Sequence, residues 1–290
     1  MKTILQSLKN GTTTIIESPI PDIKDTELLV EIEKSIVSVG TEKMLVNFGN
    51  SNYFQKARQQ PEKVKQVFDK VKTDGIEPTF NAVKAKLEQP ITLGYSNSGK
   101  VIRTGKKVTQ FSVGDRVITN GPHAEIVSVS ANLCAKIPES VSSQEAAFTV
   151  ISSIGLQGTR LAKPTLGETF VVSGLGLIGL ITVQLLRAHG CKVIASDFDQ
   201  HKVDLAKSYS VDAINVSNGT NIVDYVFAKT NGRGADGVIV TASTKSSDPI
   251  SQAAQMSRKR GRIILVVPFF KLCKIVFIIF SSIYVLKTPS

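Results

Sequence analysis

The stretch VVSGLGLIG, which runs from Val171 to Gly179, decides the fold of this chain. Apolar residues before Gly174 predict a β-strand and apolar residues after Gly176 predict a helix, so the glycines lie in the turn between the two. In such a turn the first glycine permits the tight bend, the second lets the backbone approach a pyrophosphate, and the third lets helix and strand pack closely. The N–H groups at the start of the helix then point at the phosphates.

A carboxylate at the end of the next predicted strand, Asp197, supports this interpretation, because an acid there can hold the ribose hydroxyls of a dinucleotide. It would repel a 2′-phosphate and no arginine follows it directly, so NAD(H) is expected rather than NADP(H). The alternative is that the glycines form only a tight turn and that Asp197 caps a helix starting at Gln200. The residues assigned to cofactor binding are Gly174, Leu175, Gly176, Leu177, Ile178, Gly179, Asp197 and Thr241.

Around this turn, residues 148–267 alternate between strands and helices, which is typical of βαβ units and a parallel sheet. This region is therefore predicted to be a doubly wound Rossmann domain. Strands are predicted over Thr169–Ser173, Lys192–Ser196, Ala213–Val216, Asp236–Thr241 and Arg262–Val267, and helices over Leu177–His189, Gln200–Tyr209, Ile222–Thr230 and Asp248–Ser257.

Residues 1–147 have a different pattern, with short β-branched segments separated by glycine, proline and asparagine. Residues 53–87 interrupt it, because Val64, Val67 and Val71 recur there at helical spacing with lysines on the other face. We predict a small β domain that carries a helical insertion. Its strands are predicted at Leu28–Ile32, Lys100–Ile102, Asp115–Ile118 and Ala124–Val129.

Composition narrows the class of protein. The chain has 290 residues, 42% of them hydrophobic and 20% charged, which indicates a globular protein with room for two domains. The net charge is +11, but basic and acidic residues are interleaved without a basic stripe, so no nucleic-acid partner is expected. Cys134, Cys191 and Cys273 form no CxxC pair, which excludes a disulfide framework and a four-cysteine zinc site. A cytoplasmic location is the expectation, and residues 1–20 contain no signal peptide.

The last segment, residues 268–290, departs from the alternating pattern and is apolar and basic. Its uninterrupted apolar run, Ile275–Leu286, is shorter than the roughly 20 residues of a membrane span. A tail-anchored membrane protein stays open as the less favoured alternative.

Together these motifs resemble the medium-chain dehydrogenase/reductase superfamily, the zinc-type alcohol dehydrogenase-like proteins, over residues 1–267. The resemblance implies an α/β fold, with a chaperonin-10-like β domain followed by a Rossmann domain. The insertion is most similar to that of the first module of two-module bacterial oxidoreductases encoded among surface-polysaccharide genes, which implies polysaccharide biosynthesis and a sugar-derived substrate. The motifs that carry the likeness are Gly94 with Ser98-Gly99-Lys100-Val101, Val113-Gly114-Asp115-Arg116-Val117, Leu166-Gly167-Glu168, Gly232-Arg233-Gly234-Ala235-Asp236 and Arg260-Gly261-Arg262-Ile263-Ile264.

The chain departs from the superfamily at the catalytic metal. Where zinc enzymes have a cysteine in C-G-[ST]-[DE] and a histidine in G-H-E, this chain has Val39 and Tyr95, so no zinc is expected. Thr41 matches the hydroxyl residue that relays protons in those enzymes, and Tyr95 stands in place of the histidine. We assign both as candidate catalytic residues. The alternatives are that Thr41 only caps a helix starting at Glu42 and that Tyr95 only fills the cleft.

The resemblance, together with this departure at the zinc ligands, implies an NAD(H)-dependent, zinc-independent oxidoreductase that moves a hydride to or from a carbonyl or an activated double bond. A catalytically inactive dinucleotide-binding protein is the second hypothesis. The segment after Val267 does not continue the family pattern, so we expect a C-terminally truncated product, an uncovered sheet edge and a weakened homodimer. His189 and His201 are expected to be structural, and His123 is a minor candidate for substrate contact.

Overall fold

The computed structural model describes residues 1–244 and 246–266, together with the backbone of residues 284–287. It divides the chain into two compact units, Met1–Val150 and Ile151–Ser290.

The first unit contains two antiparallel sheets. The smaller has the strand order β2-β1-β4 and the larger has the order β7-β3-β5-β6-β8. Leu28, Val30, Val101, Val117 and Val127 fill the core of the larger sheet. The strands are β1 (Lys2–Gln6), β2 (Thr13–Glu17), β3 (Glu27–Ser35), β4 (Ile91–Thr92), β5 (Asn97–Thr104), β6 (Arg116–Thr119), β7 (Ile126–Ser130) and β8 (Cys134–Lys136).

Helices interrupt this unit between β3 and β4. They are α1 (Val39–Asn50), α2 (Tyr53–Gln59), α3 (Pro61–Asp74) and α4 (Ile76–Glu88), and a short α5 (Ser143–Ala146) follows β8. Helices α2, α3 and α4 form the insertion that the sequence predicts. None of the residues of α3 is buried, and Phe68 and Phe80 are each 65% exposed.

The second unit is a sheet of the order β11-β10-β9-β12-β13-β14 with helices packed on both faces. This order is the doubly wound arrangement, because the chain moves outward from β9 in one direction and then in the other. Its elements are α6 (Thr149–Ala162), β9 (Thr169–Ser173), α7 (Leu177–Ala188), β10 (Lys192–Asp197), α8 (Gln200–Ser208), β11 (Asp212–Asn215), α9 (Ile222–Lys229), β12 (Ala235–Val240), α10 (Asp248–Met256), β13 (Ser257–Leu265) and β14 (Tyr284–Lys287).

Strand β9 shows why the sheet is covered on both sides. Phe170 and Val172 pack into a core with α7 and α8, whereas Val171 packs into the opposite core with α9 and α10. All three side chains are fully buried, as expected for a central parallel strand whose residues alternate between two covered faces. The expected α/β fold class, a β domain followed by a Rossmann sheet, is confirmed.

Two expectations at the end of this sheet are wrong. Strand β13 begins at Ser257, five residues before the predicted start, and it contains an irregularity near Arg260, whose φ is +60°. The edge of β13 is not uncovered, because Tyr284–Lys287 pairs with it in antiparallel register, from Arg262 opposite Lys287 to Leu265 opposite Tyr284.

No helix in the described part of the chain is long and apolar enough to cross a bilayer. The candidate anchor, residues 268–290, lies outside the described residues except for the backbone of β14.

Candidate functional site

The turn after β9 has a backbone shape that only glycine adopts readily. Gly174 has a φ of +98°, and its N–H donates to the carbonyl of Ser196 in the neighbouring strand at 2.8 Å. A Cβ at Gly174 would lie 2.7 Å from the backbone of Ala242. The turn is therefore held between β10 and the segment after β12.

Gly179 lets helix α7 approach the turn closely. A Cβ at Gly179 would lie 2.0 Å from the carbonyl oxygen of Gly174 and 2.8 Å from the hydroxyl of Thr241. That hydroxyl donates to the Gly174 carbonyl at 2.6 Å, and Thr241 itself is buried. The structure thus brings together the first and third glycines and the threonine that the sequence assigns to the site.

Gly176, the second glycine, faces open space instead. Within the described part of the chain, a Cβ built on it would meet nothing within 4 Å except its sequence neighbours, and no side chain caps α7 at this position. Open space at an uncapped helix N-terminus fits a pyrophosphate, because the first N–H groups of a helix and its dipole favour an anion there. The site lies beside the carboxyl ends of β9 and β12, where the direction of the sheet order reverses and where doubly wound sheets bind ligands.

Asp197 joins this turn through its side chain. One carboxylate oxygen accepts the N–H of Leu175 at 2.7 Å, and the other accepts the N–H of Asp199 at 2.9 Å. The alternative interpretation of Asp197 as a helix cap is wrong, because Asp199 caps α8 by accepting from the N–H of His201. Lys202, which the sequence analysis did not assign, places its ammonium 3.6 Å from Asp197.

The two candidate catalytic residues lie in the first unit. Thr41 is exposed in the first turn of α1, which starts at Val39 after the N-cap Ser38, so Thr41 is not a helix cap as the alternative supposed. Tyr95 is half-buried in the segment between β4 and β5. Among the described residues, neither side chain has a hydrogen-bond partner.

A polar chain of three side chains includes Glu42, the residue that follows Thr41. The imidazole of His123 contacts the hydroxyl of Ser35 through Nδ1 at 2.5 Å and the carboxylate of Glu42 through Nε2 at 3.1 Å. Glu42 also accepts the N–H of Ser38 at 2.8 Å. Sequence reasoning missed this chain, because His123 lies 88 residues from Ser35 and 81 residues from Glu42, and the three residues form no motif.

Among residues 1–244 and 246–266, no three His, Cys, Asp or Glu side chains are grouped closely enough to hold a metal ion.

Cysteine reactivity gives a first testable prediction. Burial raises the pKa of the Cys134 thiol to about 11, and burial, followed by the charge of Glu168, raises the pKa of the Cys191 thiol. Because the thiolate is the reactive form, both thiols should react with Ellman's reagent at pH 8 at least about tenfold more slowly in the native protein than in urea.

The measurement is made in a Cys273→Ser variant, because Cys273 lies outside the described residues. A native thiol that reacts as fast as the unfolded one would contradict the protection of Cys134 and Cys191 by burial.

Comparison with protein families finds matches in both units. The model of the alcohol dehydrogenase GroES-like domain matches residues 65–159, and that of the zinc-binding dehydrogenase matches residues 178–278. The chain belongs to the medium-chain dehydrogenase/reductase superfamily. The second match continues past Val267, where the resemblance to the superfamily was expected to end.

Curated relatives within the superfamily carry names of sugar enzymes. A putative D-xylulose reductase of Agrobacterium fabrum is 30% identical over 210 residues, which is 61% of this chain and 59% of that protein. A D-guloside 3-dehydrogenase of Escherichia coli is 32% identical over 154 residues, which is 52% of this chain and 44% of that protein. The chain therefore spans about half the length of the curated relatives it matches.

Solved structures of the superfamily share the fold. Galactitol-1-phosphate dehydrogenase from Escherichia coli superimposes with a TM-score of 0.73 at 20% identity, over 93% of this chain and 76% of that one. An alcohol dehydrogenase from Thermus sp. ATN1 gives a TM-score of 0.71 at 19% identity, over 91% and 76% of the two chains.

Proposed function

We propose that this chain is an NAD(H)-dependent oxidoreductase that transfers a hydride between the nicotinamide ring and the carbonyl or alcohol carbon of a small sugar-derived substrate. The observation that carries the proposal is the turn from Gly174 to Gly179, with open space at Gly176 and the Asp197 carboxylate beside it. When bound, the cofactor supplies the hydride chemistry, and the chain's own residues bind and orient it.

Substrate class is inferred from the relatives. The names D-xylulose reductase and D-guloside 3-dehydrogenase both denote redox chemistry on a sugar, so we expect a ketose, a polyol or a glycoside. A role in polysaccharide biosynthesis, a cytoplasmic location and a homodimer are further predictions.

We also propose that the reaction proceeds without zinc, although the matching family is described as zinc-binding. Valine has no lone pair and tyrosine is a poor zinc ligand, so Val39 and Tyr95 do not fit a catalytic site that needs three N, S or O ligands. Elemental analysis of active protein should find no stoichiometric zinc. A zinc-to-chain ratio near one that falls together with activity on chelation would overturn this proposal.

Cofactor selectivity gives a second prediction. We expect Asp197→Asn to reduce the preference for NADH over NADPH at least about tenfold, because the change removes the charge that repels a 2′-phosphate. Asparagine keeps an oxygen that can accept the N–H of Leu175, so the turn should persist. Dissociation constants are measured by cofactor fluorescence, for which a chain with no tryptophan gives no interfering signal.

Asp204→Asn is a matched control, since Asp204 lies on helix α8, which follows Asp197 in the chain, and pairs with Gln200 and Lys207 rather than with the turn. Unchanged discrimination in Asp197→Asn would contradict the assignment of Asp197 to the ribose.

The function itself is tested by the same titration, followed by assays with polyols and ketoses. Saturable binding of NADH with turnover of at least one substrate supports the proposal. Binding without turnover favours the second hypothesis, a catalytically inactive dinucleotide-binding protein.

A further inference from the structure

Three large apolar side chains on the helical insertion are exposed and have no part in the proposed function. Phe68 on α3 and Phe80 on α4 are each 65% exposed, and Ile76 in the first turn of α4 is 76% exposed. Apolar residues scattered singly over a surface need no explanation, whereas several on one face indicate an interaction surface. What decides between the two is whether these side chains share a face.

Helix geometry places both phenylalanines on one side of the pair formed by α3 and α4. The two helices contact each other and are joined by the single residue Gly75, whose φ is +88°. Val71 is half-buried and Thr79 is 1% exposed, so these two residues mark the inner side of the bend. At about 100° per residue, each phenylalanine is rotated in the same sense from the inner residue of its own helix. Because the chain bends back at Gly75, the two rings project from the same side.

Lysines flank the two rings. Lys65 and Lys72 lie three residues before and four residues after Phe68, which are the spacings of neighbours on a helix surface. Lys84 has the same relation to Phe80 as Lys72 has to Phe68.

These lysines have free charges. All three are exposed, and none forms an ion pair within residues 1–244 and 246–266. Glu77, three residues before Phe80, is a carboxylate at the edge of the surface. We call this surface the aromatic face, and its members are Lys65, Phe68, Lys72, Ile76, Phe80 and Lys84.

The chemistry of the aromatic face complements an anionic membrane surface. Helices that lie in the interface of a bilayer carry phenylalanine and other large apolar residues together with lysines. The rings enter the headgroup region, while the ammonium groups at the ends of the flexible lysine stems reach the lipid phosphates. A second copy of this chain fits less well, because a two-fold contact through this face would set the same lysines against each other.

We propose that the aromatic face binds anionic lipid headgroups and holds the chain peripherally at a membrane surface. Phe68, Phe80 and Ile76 lose their contact with water in the headgroup region, and the three lysines bind the phosphates. The proposal is independent of the proposed function, since α3 and α4 contain none of the residues assigned to the cofactor or to catalysis.

Tryptophan fluorescence tests the contact at the face itself, because the full chain has no tryptophan. Phe68→Trp and Phe80→Trp are mixed with phosphatidylcholine vesicles that contain about 30% phosphatidylglycerol. The emission of both variants should shift to shorter wavelength and be quenched by brominated phosphatidylcholine, and vesicles without phosphatidylglycerol should cause neither effect. Phe198→Trp is the matched control that should not respond, because Phe198 is 74% exposed but lies in the second unit.

The lysines are tested by two double variants in the Phe80→Trp background. Lys65→Gln with Lys72→Gln should weaken vesicle binding about 25-fold, since each lysine near an anionic surface contributes a factor of about five. Lys63→Gln with Lys70→Gln removes the same charge from the same helix at the same spacing, but from its opposite side. This control should weaken binding at most about threefold, since charges that do not face the lipid are partly screened by salt.

Three results would overturn the proposal. The first is an unchanged emission of Phe68→Trp and Phe80→Trp on addition of anionic vesicles. The second is an equal loss of binding in the two double variants. The third is an emission shift that appears with rising protein concentration in the absence of vesicles, which would assign the aromatic face to a second copy of the chain. Glu77→Gln, which removes the carboxylate at the edge, should strengthen vesicle binding.

Discussion

Gly176→Ala is expected to leave the melting temperature within about 2 °C of the wild type and to weaken NADH binding at least about tenfold. Apart from its chain neighbours, the added methyl group meets no atom of the described residues within 4 Å, so we expect no loss of stability. It does enter the open space in front of the uncapped helix α7, where the backbone must approach the pyrophosphate. Thermal unfolding and fluorescence titration with NADH measure the two effects separately.

Gly179→Ala is compared with Gly176→Ala, because the two variants should differ in their effect on stability. Its methyl group would lie 2.0 Å from the carbonyl oxygen of Gly174, so we expect it to lower both stability, by about 1–3 kcal/mol, and cofactor affinity. If Gly176→Ala binds NADH as tightly as the wild type, the glycines only shape a tight turn, and the dinucleotide assignment is wrong.

Asp236→Ala is expected to lower the free energy of unfolding by about 3 kcal/mol, the usual effect of removing one partner from a buried ion pair. Asp236 is 2% exposed and accepts the N–H of Thr169 at 2.8 Å, Arg258 Nε at 2.5 Å and the guanidinium of Arg233 at 2.9 Å. Alanine would leave the N–H of Thr169 buried without this acceptor. Urea unfolding at pH 7 measures the loss.

The same carboxylate makes stability depend on pH. Burial by itself would raise the pKa of Asp236, but the Thr169 N–H together with Arg258 and Arg233 outweighs burial and lowers the pKa below its ordinary value. A lowered pKa means that the stabilisation is complete above about pH 4 and is lost as the pH falls through the folded-state pKa. Asp236→Asn is the control, and its stability difference from the wild type should narrow below about pH 4. A difference that is constant with pH would contradict the role of the charge.

The Rossmann unit could be predicted almost element by element, because its signals are local. The strand predicted over Thr169–Ser173 has the observed bounds, and helix α7 differs from its prediction by one residue at its end. Apolar runs separated by glycine turns define both elements without knowledge of distant contacts. The assignment of Thr241 to the turn also follows from the order of parallel strands, whose carboxyl ends meet at one edge.

Two helices, the contacts of His123 and the last strand pairing could not be predicted from local sequence signals. Helix α1 was considered only as an alternative, a helix starting at Glu42, because Gly40 and Gly49 lower its helix propensity. Helix α6 was missed because it contains a similar pair of glycines. The contact of His123 with Ser35 and Glu42 joins segments about 80 to 90 residues apart, so no spacing in the sequence indicates it. The pairing of β14 with β13 joins residues that are closer in sequence, such as Leu265 and Tyr284, but it is also not local.

Because few residues of the insertion are buried, we expect it to unfold locally before the rest of the fold. Segments with few buried apolar contacts unfold locally at a small fraction of the global free energy, while core strands open only with the whole fold. Helix α3 has no buried residue, whereas every residue of β12 is buried. Amide hydrogens of α3 therefore exchange with solvent long before those of β12, and the lysines along α3 are the first sites at which trypsin cuts the folded chain.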